Sequence, residues 1–216
     1  MLKEGLITAA LAEVGYAKAK RLTYQASWST TEVEHFLYLS TYGNPKEYLT
    51  VDFGLRNPLA EEFAIECISL FGGEIFRTLQ YDRRNDCFMR FSLGKAAAWR
   101  PRWSLTLLQM SPASVASKIK TDVSELLLPL VRSVTTAKAL LSLLLEDVEP
   151  YPWVRINSAL RAAQIACLAR LAGIESDQIR TLLRSFFDKI AADVGSGADA
   201  NLYVEAIVRH SAKHFH

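Results

Sequence analysis

The hydrophobic pattern changes from helical spacing to strand spacing at Gly15. Up to Val14 the apolar residues fall on one helical stripe, and Gly15 stands where a glycine commonly ends a helix. Three runs at residues 21–28, 33–39 and 48–55 then have strand character, and short turn-rich segments connect them. Because strands joined by short links pair in opposite directions, we expect one helix followed by an antiparallel meander.

A second helix is predicted directly after the third of these runs. Asn57 is a suitable N-cap, and Pro58 fits the first helical position. The glycines at positions 72 and 73 are predicted to end the helix. Residues 74–81 and 87–93 then predict a hairpin, and residues 103–110 predict a further strand.

From Ser111 onwards the pattern is helical throughout. Ser111 suits an N-cap, and the proline that follows it suits the first turn of a helix. Pro129 should kink or divide this helix, because it lacks a hydrogen-bond donor and clashes with the preceding turn. Further helices are predicted at about residues 154–172, 177–194 and 201–213.

Together these patterns predict an α+β fold with an antiparallel sheet and helices in the N-terminal half and an all-helical C-terminal half. Residues 1–110 form the predicted sheet-bearing part, and residues 111–216 form the helical part. No long linker separates them, so we expect the two parts to pack together as one unit.

Composition excludes several classes of protein. Half of the 216 residues are hydrophobic, and a formal net charge of only +2 gives no basic excess for a nucleic-acid partner. Three cysteines without paired spacing argue against a disulfide framework and for a reducing compartment. The start lacks the features of a signal peptide, and the leucine-rich run at residues 140–145 is too short to span a bilayer. We therefore expect a cytoplasmic protein that has no membrane or nucleic-acid partner.

Four motifs follow one another in the first 70 residues: VGY at 14–16, LTY at 22–24, FLYL at 36–39 and LTVDFGL at 49–55. In this order they resemble a bacterial family known only as a domain of unknown function. The resemblance implies a start of helix, three strands and helix, and it supplies no catalytic residue. Because some members look like immunity or accessory proteins, it favours a binding role.

One candidate ligand site is a cluster in which tryptophan and arginine alternate around a proline. Tryptophan rings offer stacking faces, and each guanidinium forms paired hydrogen bonds with a carboxylate or phosphate. In the alternative interpretation the tryptophans pack in the core while the arginines stay solvated. The candidate residues are Trp99, Arg100, Arg102 and Trp103, with Arg83 and Arg84 from the predicted hairpin turn.

A second candidate is the histidine-rich end of the chain. His210 and His214 are four positions apart, so on a helix they share a face, as metal ligands do, and His216 follows them. Histidines also suit the negative end of a helix dipole without any metal. We favour the dipole interpretation, and the sequence therefore predicts no metal site and no cofactor.

A third candidate is a cysteine nucleophile. Cys67 and Cys167 fall on apolar helical positions and are predicted to be inert core residues, whereas Cys87 heads a predicted strand. His35 is the histidine outside the tail, and a Cys–His pair that uses it stays open.

The sequence favours a non-catalytic binding or interaction protein, with another protein as its partner. It contains no nucleotide-binding loop and no nucleophile-elbow motif. Active sites are often assembled from distant residues, so two alternatives stay open. One is an enzyme whose site lies between the sheet and the helical half. The other is a binder of anionic ligands or nucleic acid that uses the tryptophan–arginine cluster.

Overall fold

The structure is a computed structural model that describes residues 3–42, 48–71, 89–92, 105–106, 110–146, 158–190 and 197–215. The chain divides into two compact units, each built from two stretches of sequence. We call the unit of Met1–Leu55 and Met89–Thr135 the sheet unit, and the unit of Arg56–Phe88 and Thr136–His216 the helical unit.

Among the described residues, six strands form one sheet, and the first helix precedes them in the chain. The elements are α1 (Glu4–Ala12), β1 (Tyr16–Lys20), β2 (Thr23–Ala26), β3 (Glu34–Tyr42), β4 (Tyr48–Arg56), β5 (Met89–Ser92) and β6 (Leu105–Thr106). The strand order is β1-β2-β3-β4-β5, and β6 pairs with β4. The registers that the structure describes are antiparallel. The short connection predicts this for β2 and β3, whereas residues 57–88 lie between β4 and β5.

A helical segment after the sheet completes the sheet unit. It consists of α3 (Pro112–Asp122), a π-helical turn (Val123–Leu127) and α4 (Leu128–Val131). Ser111 caps α3, since its Oγ accepts a hydrogen bond from the backbone N–H of Ser114 at 3.1 Å. The π-helical turn lies directly before Pro129, so the predicted interruption is confirmed at the proline that cannot donate to the preceding turn.

The core of the sheet unit lies where α1 and α3 pack together and along the strands of the sheet. Alternation puts Leu49, Val51 and Phe53 of β4 in the interior, each without exposed surface. Ile7 and Leu11, four residues apart on α1, are buried as well. The core therefore contains the apolar residues that the sequence pattern assigns to it.

The helical unit is organised around one buried helix. It comprises α2 (Pro58–Phe71), α5 (Ala137–Glu146), α6 (Ser158–Leu171), α7 (Ser176–Ile190) and α8 (Gly197–His214). Helix α6 contacts α2, α5, α7 and α8, and every side chain from 161 to 169 is buried. A helix that is buried on all sides needs small or apolar residues all round, which explains its many alanines.

The α+β class predicted from the sequence is confirmed. Among the described residues, strands precede Ser111, and the residues after it form helices and their connections. The compact units, however, do not divide at Ser111, because α3 packs against α1 while α2 packs against α6. Each helix buries its apolar face against another element of the fold. A change in composition along the sequence does not predict which element that will be.

The start of the chain differs from the predicted helix and three strands by one additional strand, β1. The run predicted at residues 21–28 begins only at Thr23, because Leu22 adopts a left-handed turn conformation with φ 55°. Residues 17–20 of β1 alternate alanine and lysine in the sequence, but all four are exposed and Tyr16 is buried, so the burial of β1 does not follow that alternation.

The outcome for the predicted hairpin and last strand is partial. Met89–Ser92 and Leu105–Thr106 are strands, as expected, whereas residues 74–81 lie outside the described part of the chain. Within the described ranges, no helix combines the length and the apolar character needed to cross a membrane.

Candidate functional site

A glutamate of α2 and two histidines of α8 converge in the helical unit. Nε2 of His210 lies 3.1 Å from Oε1 of Glu66, and Nδ1 of His214 lies 3.8 Å from Oε2 of the same carboxylate. One side-chain atom from each of the three residues lies within 4.8 Å of the others. We call these three residues the Glu–His–His cluster.

The position of Glu66 follows from the local structure of α2. The Oδ1 atom of Asn57 accepts a hydrogen bond from the N–H of Ala60 at 2.7 Å, so the predicted N-cap is confirmed and the start of the helix is fixed. From that start, Phe63 and Cys67 fall on the buried face. Glu66 precedes Cys67 by one residue and is therefore half-buried at the edge of that face.

The rotation of α8 is fixed by polar contacts in its first half. The Tyr203 hydroxyl donates to the Ala159 carbonyl of α6 at 3.1 Å. Glu205 accepts hydrogen bonds from Nε of Arg180, at 2.8 and 3.0 Å, and from Nη2 of Arg184, at 3.0 Å. With α8 held against α6 and α7 in this way, the two histidines, four residues apart on one face, are directed towards α2.

Aromatic rings enclose the two imidazoles. His210 stacks on Phe63 with ring centroids 5.4 Å apart, and Phe71 meets it edge-on at 5.5 Å. His214 meets Phe215 at 4.9 Å and Phe63 at 5.8 Å, both edge-on. These contacts restrict the rotamers of both histidines, so the cluster is held in one geometry before any ligand binds.

The polar atoms of the cluster are close together but not satisfied. Among the described residues, Nε2 of His210 is buried and makes no hydrogen bond, although an oxygen of Glu66 lies 3.1 Å away. The two atoms are therefore close without a hydrogen bond between them. An imidazole nitrogen and a carboxylate oxygen both carry lone pairs, so the two groups can share a cation.

The thiols of Cys67 and Cys167 are not reactive groups. Both are free and fully buried, as the sequence predicts. Burial, with a smaller contribution from the charge of Glu66, raises the pKa of Cys67 to about 12. Burial likewise raises the pKa of Cys167. Because the thiolate is the nucleophilic form, neither residue suits covalent chemistry.

His35 lies in the core of the sheet unit. Its Nε2 donates to the carbonyl of Val134 at 2.8 Å, and the rings of Trp28 and Phe53 lie 6.0 and 5.9 Å away. Its side chain has no exposed surface, and burial lowers its pKa. Among the described residues it contacts backbone and aromatic rings, which is the environment of a structural histidine.

The remaining predicted site residues lie outside the described part of the chain. They are Cys87, His216 and the cluster in which tryptophan and arginine alternate, and their roles stay predictions. The residues of the latter are Trp99, Arg100, Arg102, Trp103, Arg83 and Arg84.

Sequence reasoning found two of the three residues of the cluster and missed Glu66. The spacing of His210 and His214 predicts their common face, but their partner lies on a helix much earlier in the chain. Glu66 follows Glu61 and Glu62 on α2, and the hydrophobic pattern alone does not distinguish which of the three lies beside α8.

A scan against protein-family models, a search of the curated proteins and a search of the solved structures each found no match to this chain. The resemblance of the first 70 residues to a bacterial family stays a prediction. Functional inference for this chain therefore begins with the geometry of the Glu–His–His cluster.

Proposed function

We propose that this protein is a non-catalytic binding protein and that the Glu–His–His cluster is one of its ligand-binding sites. The observation that supports this is the convergence of two imidazoles and a carboxylate from two helices, where Nε2 of His210 has no hydrogen bond to any part of the chain that the structure describes. Unsatisfied polar atoms are destabilising in a folded protein, and a bound ligand that pairs with them removes this penalty.

The surroundings of the cluster favour binding over catalysis. Cys67, the residue after Glu66, and Cys167 carry thiols whose pKa is raised by burial. The cluster is accessible by contrast, since 42% of the Glu66 side chain and 45% of the His214 side chain are exposed. Glu66 and His214 therefore offer a ligand exposed atoms, whereas Nε2 of His210 lies beneath the surface.

The surface of α2 beside the cluster gives the site an apolar border. Leu59 and Leu70 lie on the same helical face as Glu66, at seven and four residues from it, and they are 50% and 58% exposed. A ligand with both a polar group and an apolar part, such as a segment of another protein, matches this combination. A protein partner is therefore part of the proposal.

A thermal-shift screen tests the proposed function. Protein without a purification tag is melted in the presence of divalent cations, inorganic anions and carboxylates. The same panel is applied to the double variant Glu66→Gln/His210→Ala. We expect at least one ligand class to raise the melting temperature of the wild type but not that of the variant, because a ligand that binds only the folded state stabilises it.

The matched control is Glu62→Gln/Arg209→Ala, which changes an exposed residue of the same type on α2 and an exposed residue of α8. This control should respond to ligands like the wild type. The proposal is wrong if no class of ligand stabilises the wild type, or if the cluster variant responds as strongly as the control does.

A further inference from the structure

We propose that Glu66, His210 and His214 bind a divalent transition-metal ion and that zinc is the preferred ion. This inference rests on the proposed function, because it names the ligand of the same site. It departs from the expectation drawn from the sequence, in which the histidines of the tail only complement a helix dipole. The difference is Glu66, which the fold brings to the two histidines as a third donor.

The donor set is the first reason to name zinc. Imidazole nitrogen is a borderline ligand and carboxylate oxygen is a hard one; zinc accepts both together, whereas calcium and magnesium prefer sites built from oxygen. Imidazole also suits copper, nickel and iron. The proposed ion therefore belongs to the metals that imidazole binds. Zinc is placed first because its filled d shell imposes no coordination geometry, so it accepts the arrangement of ligands that the side chains offer.

The distances are the second reason. Zinc bonds nitrogen and oxygen at about 2.0–2.2 Å, so two ligand atoms at a tetrahedral angle are about 3.4 Å apart. In the structure, Nε2 of His210 lies 3.1 Å from Oε1 of Glu66, and Nδ1 of His214 lies 3.8 Å from the other oxygen, Oε2. One donor atom from each of the three residues lies within 4.8 Å of the others, so modest side-chain rotations would bring one oxygen and two nitrogens to tetrahedral separations.

The missing hydrogen bond is the third reason. A plain ion pair would align the N–H of His210 with the carboxylate, yet among the described residues Nε2 makes no hydrogen bond at a separation of 3.1 Å from Oε1. Nitrogen and oxygen ligands of one metal ion do not hydrogen-bond to each other, because their lone pairs are directed to the ion. An ion between the two residues would pair with both atoms.

The cluster is also prepared for binding. The two histidines come from one helix at a spacing of four, and the aromatic rings around them fix their rotamers. Glu66 comes from a second helix, so the ion would connect α2 to the last turn of α8. Three protein ligands leave a tetrahedral ion one further position, which water or a side chain of a partner can occupy.

Calorimetric titration of the full-length, tag-free protein with zinc chloride tests the inference, after treatment with a chelator that is then removed. We expect one zinc ion per chain. Each of Glu66→Gln, His210→Ala and His214→Ala should weaken binding at least ~100-fold, because the loss of a direct ligand exceeds the 10–100-fold effect of losing an outer-shell partner. Cobalt(II) in place of zinc should give the strong visible absorption of a tetrahedral site.

The controls Glu62→Gln and Arg209→Ala should bind zinc like the wild type, since both residues are exposed and are not members of the cluster. Circular dichroism of each variant checks that its helix content is unchanged. If a ligand variant is misfolded, cobalt absorption of the wild type alone decides, since an octahedral or absent signal overturns the inference.

The outcomes separate this inference from the proposed function. If zinc fails to bind, or binds all variants equally, the metal site is wrong. If another ligand class still stabilises the wild type but not Glu66→Gln/His210→Ala, the binding function stands with a different ligand. If neither zinc nor any other class depends on the cluster, both proposals are wrong.

Discussion

The two units use histidine in opposite ways. In the sheet unit, His35 has no exposed surface and its proton is committed to the carbonyl of Val134. In the helical unit, the His210 side chain is 18% exposed and the His214 side chain 45% exposed, and both lie beside the carboxylate of Glu66. Among the described residues, Nδ1 of His35 and Nε2 of His210 both lack a hydrogen bond, and the nitrogen of His210 lies 3.1 Å from a carboxylate oxygen. All of these rings contact aromatic side chains, so the difference lies in the polar partner and in the access of solvent.

Burial and hydrogen bonding determine the role of a histidine, and the residue type alone does not. A ring nitrogen bonded to a carbonyl in a closed core holds the fold together. A ring nitrogen that is close to a carboxylate but not aligned with it is available to a ligand. The contrast between a buried structural histidine and an accessible histidine cluster leads to three predictions of decreasing size.

The largest effect should come from the aromatic partners of the histidines. Phe53 lies beside His35 and is fully buried, whereas Phe71 lies beside His210 and is only half-buried. We expect Phe53→Ala to lower the free energy of unfolding by about 3–5 kcal/mol and Phe71→Ala by about 1–2 kcal/mol, because the cost depends on the buried area and on the cavity left. Urea denaturation of both variants measures the difference. Equal losses would contradict the contrast between a closed core and an accessible cluster.

An intermediate effect should distinguish the two glycines that follow helices. Gly15 and Gly173 have positive φ angles of 84° and 77°, but a Cβ on Gly15 would lie 2.7 Å from the Trp28 ring, whereas one on Gly173 would meet nothing within 4 Å. The left-handed conformation alone should cost Gly173→Ala about 1–2 kcal/mol. The clash with the ring should cost Gly15→Ala about 2 kcal/mol more. Urea denaturation measures the free energy of unfolding of both variants. A larger decrease for Gly173→Ala would contradict the prediction, because it would mean that the Trp28 ring moves aside without destabilising the fold.

The smallest effect should be a dependence of stability on pH through His35. Its pKa is lowered from 6.5, chiefly by burial, while the hydrogen bond to Val134 raises it by less. The unfolded chain therefore takes up a proton near pH 6.5 that the folded chain resists. This contribution is complete above that pH and is lost as the pH falls towards the lower pKa of the folded state.

Urea denaturation between about pH 5 and 7.5 measures this contribution, a range that covers the ordinary pKa of histidine. The comparison with His35→Gln removes the titration of every other group, and the variant should have a flatter profile. If the variant does not fold, NMR titration of the wild-type His35 ring replaces it, and a ring that becomes charged at pH 6.5 or above contradicts the prediction.

From the sequence, only the residues of the candidate site that share one helix could be predicted to lie together. The spacing of His210 and His214 gives their shared face, since helical geometry relates residues four apart. No such rule relates them to Glu66, which lies far earlier in the chain and resembles its neighbours Glu61 and Glu62 in the pattern. From the sequence alone, the helix-dipole interpretation of the two histidines is favoured, with no metal site.

Much of the local structure was determined by the sequence itself. The cap at Asn57, the end of the first helix before Gly15, the interruption at Pro129 and the change from strands to helices at Ser111 all appear where the residues predict them. Each depends on a hydrogen bond or a backbone conformation within a few residues, so the neighbouring sequence carries the information.

Only the tertiary structure decided which elements share a core. It assigned α2 to the helical unit and α3 to the sheet unit, paired β6 with β4, and brought Glu66 to α8. The hydrophobic effect that drives these choices is not directional, so an apolar face accepts any partner of matching shape. The choice among partners depends on packing over the whole chain, and it is this choice that created the cluster.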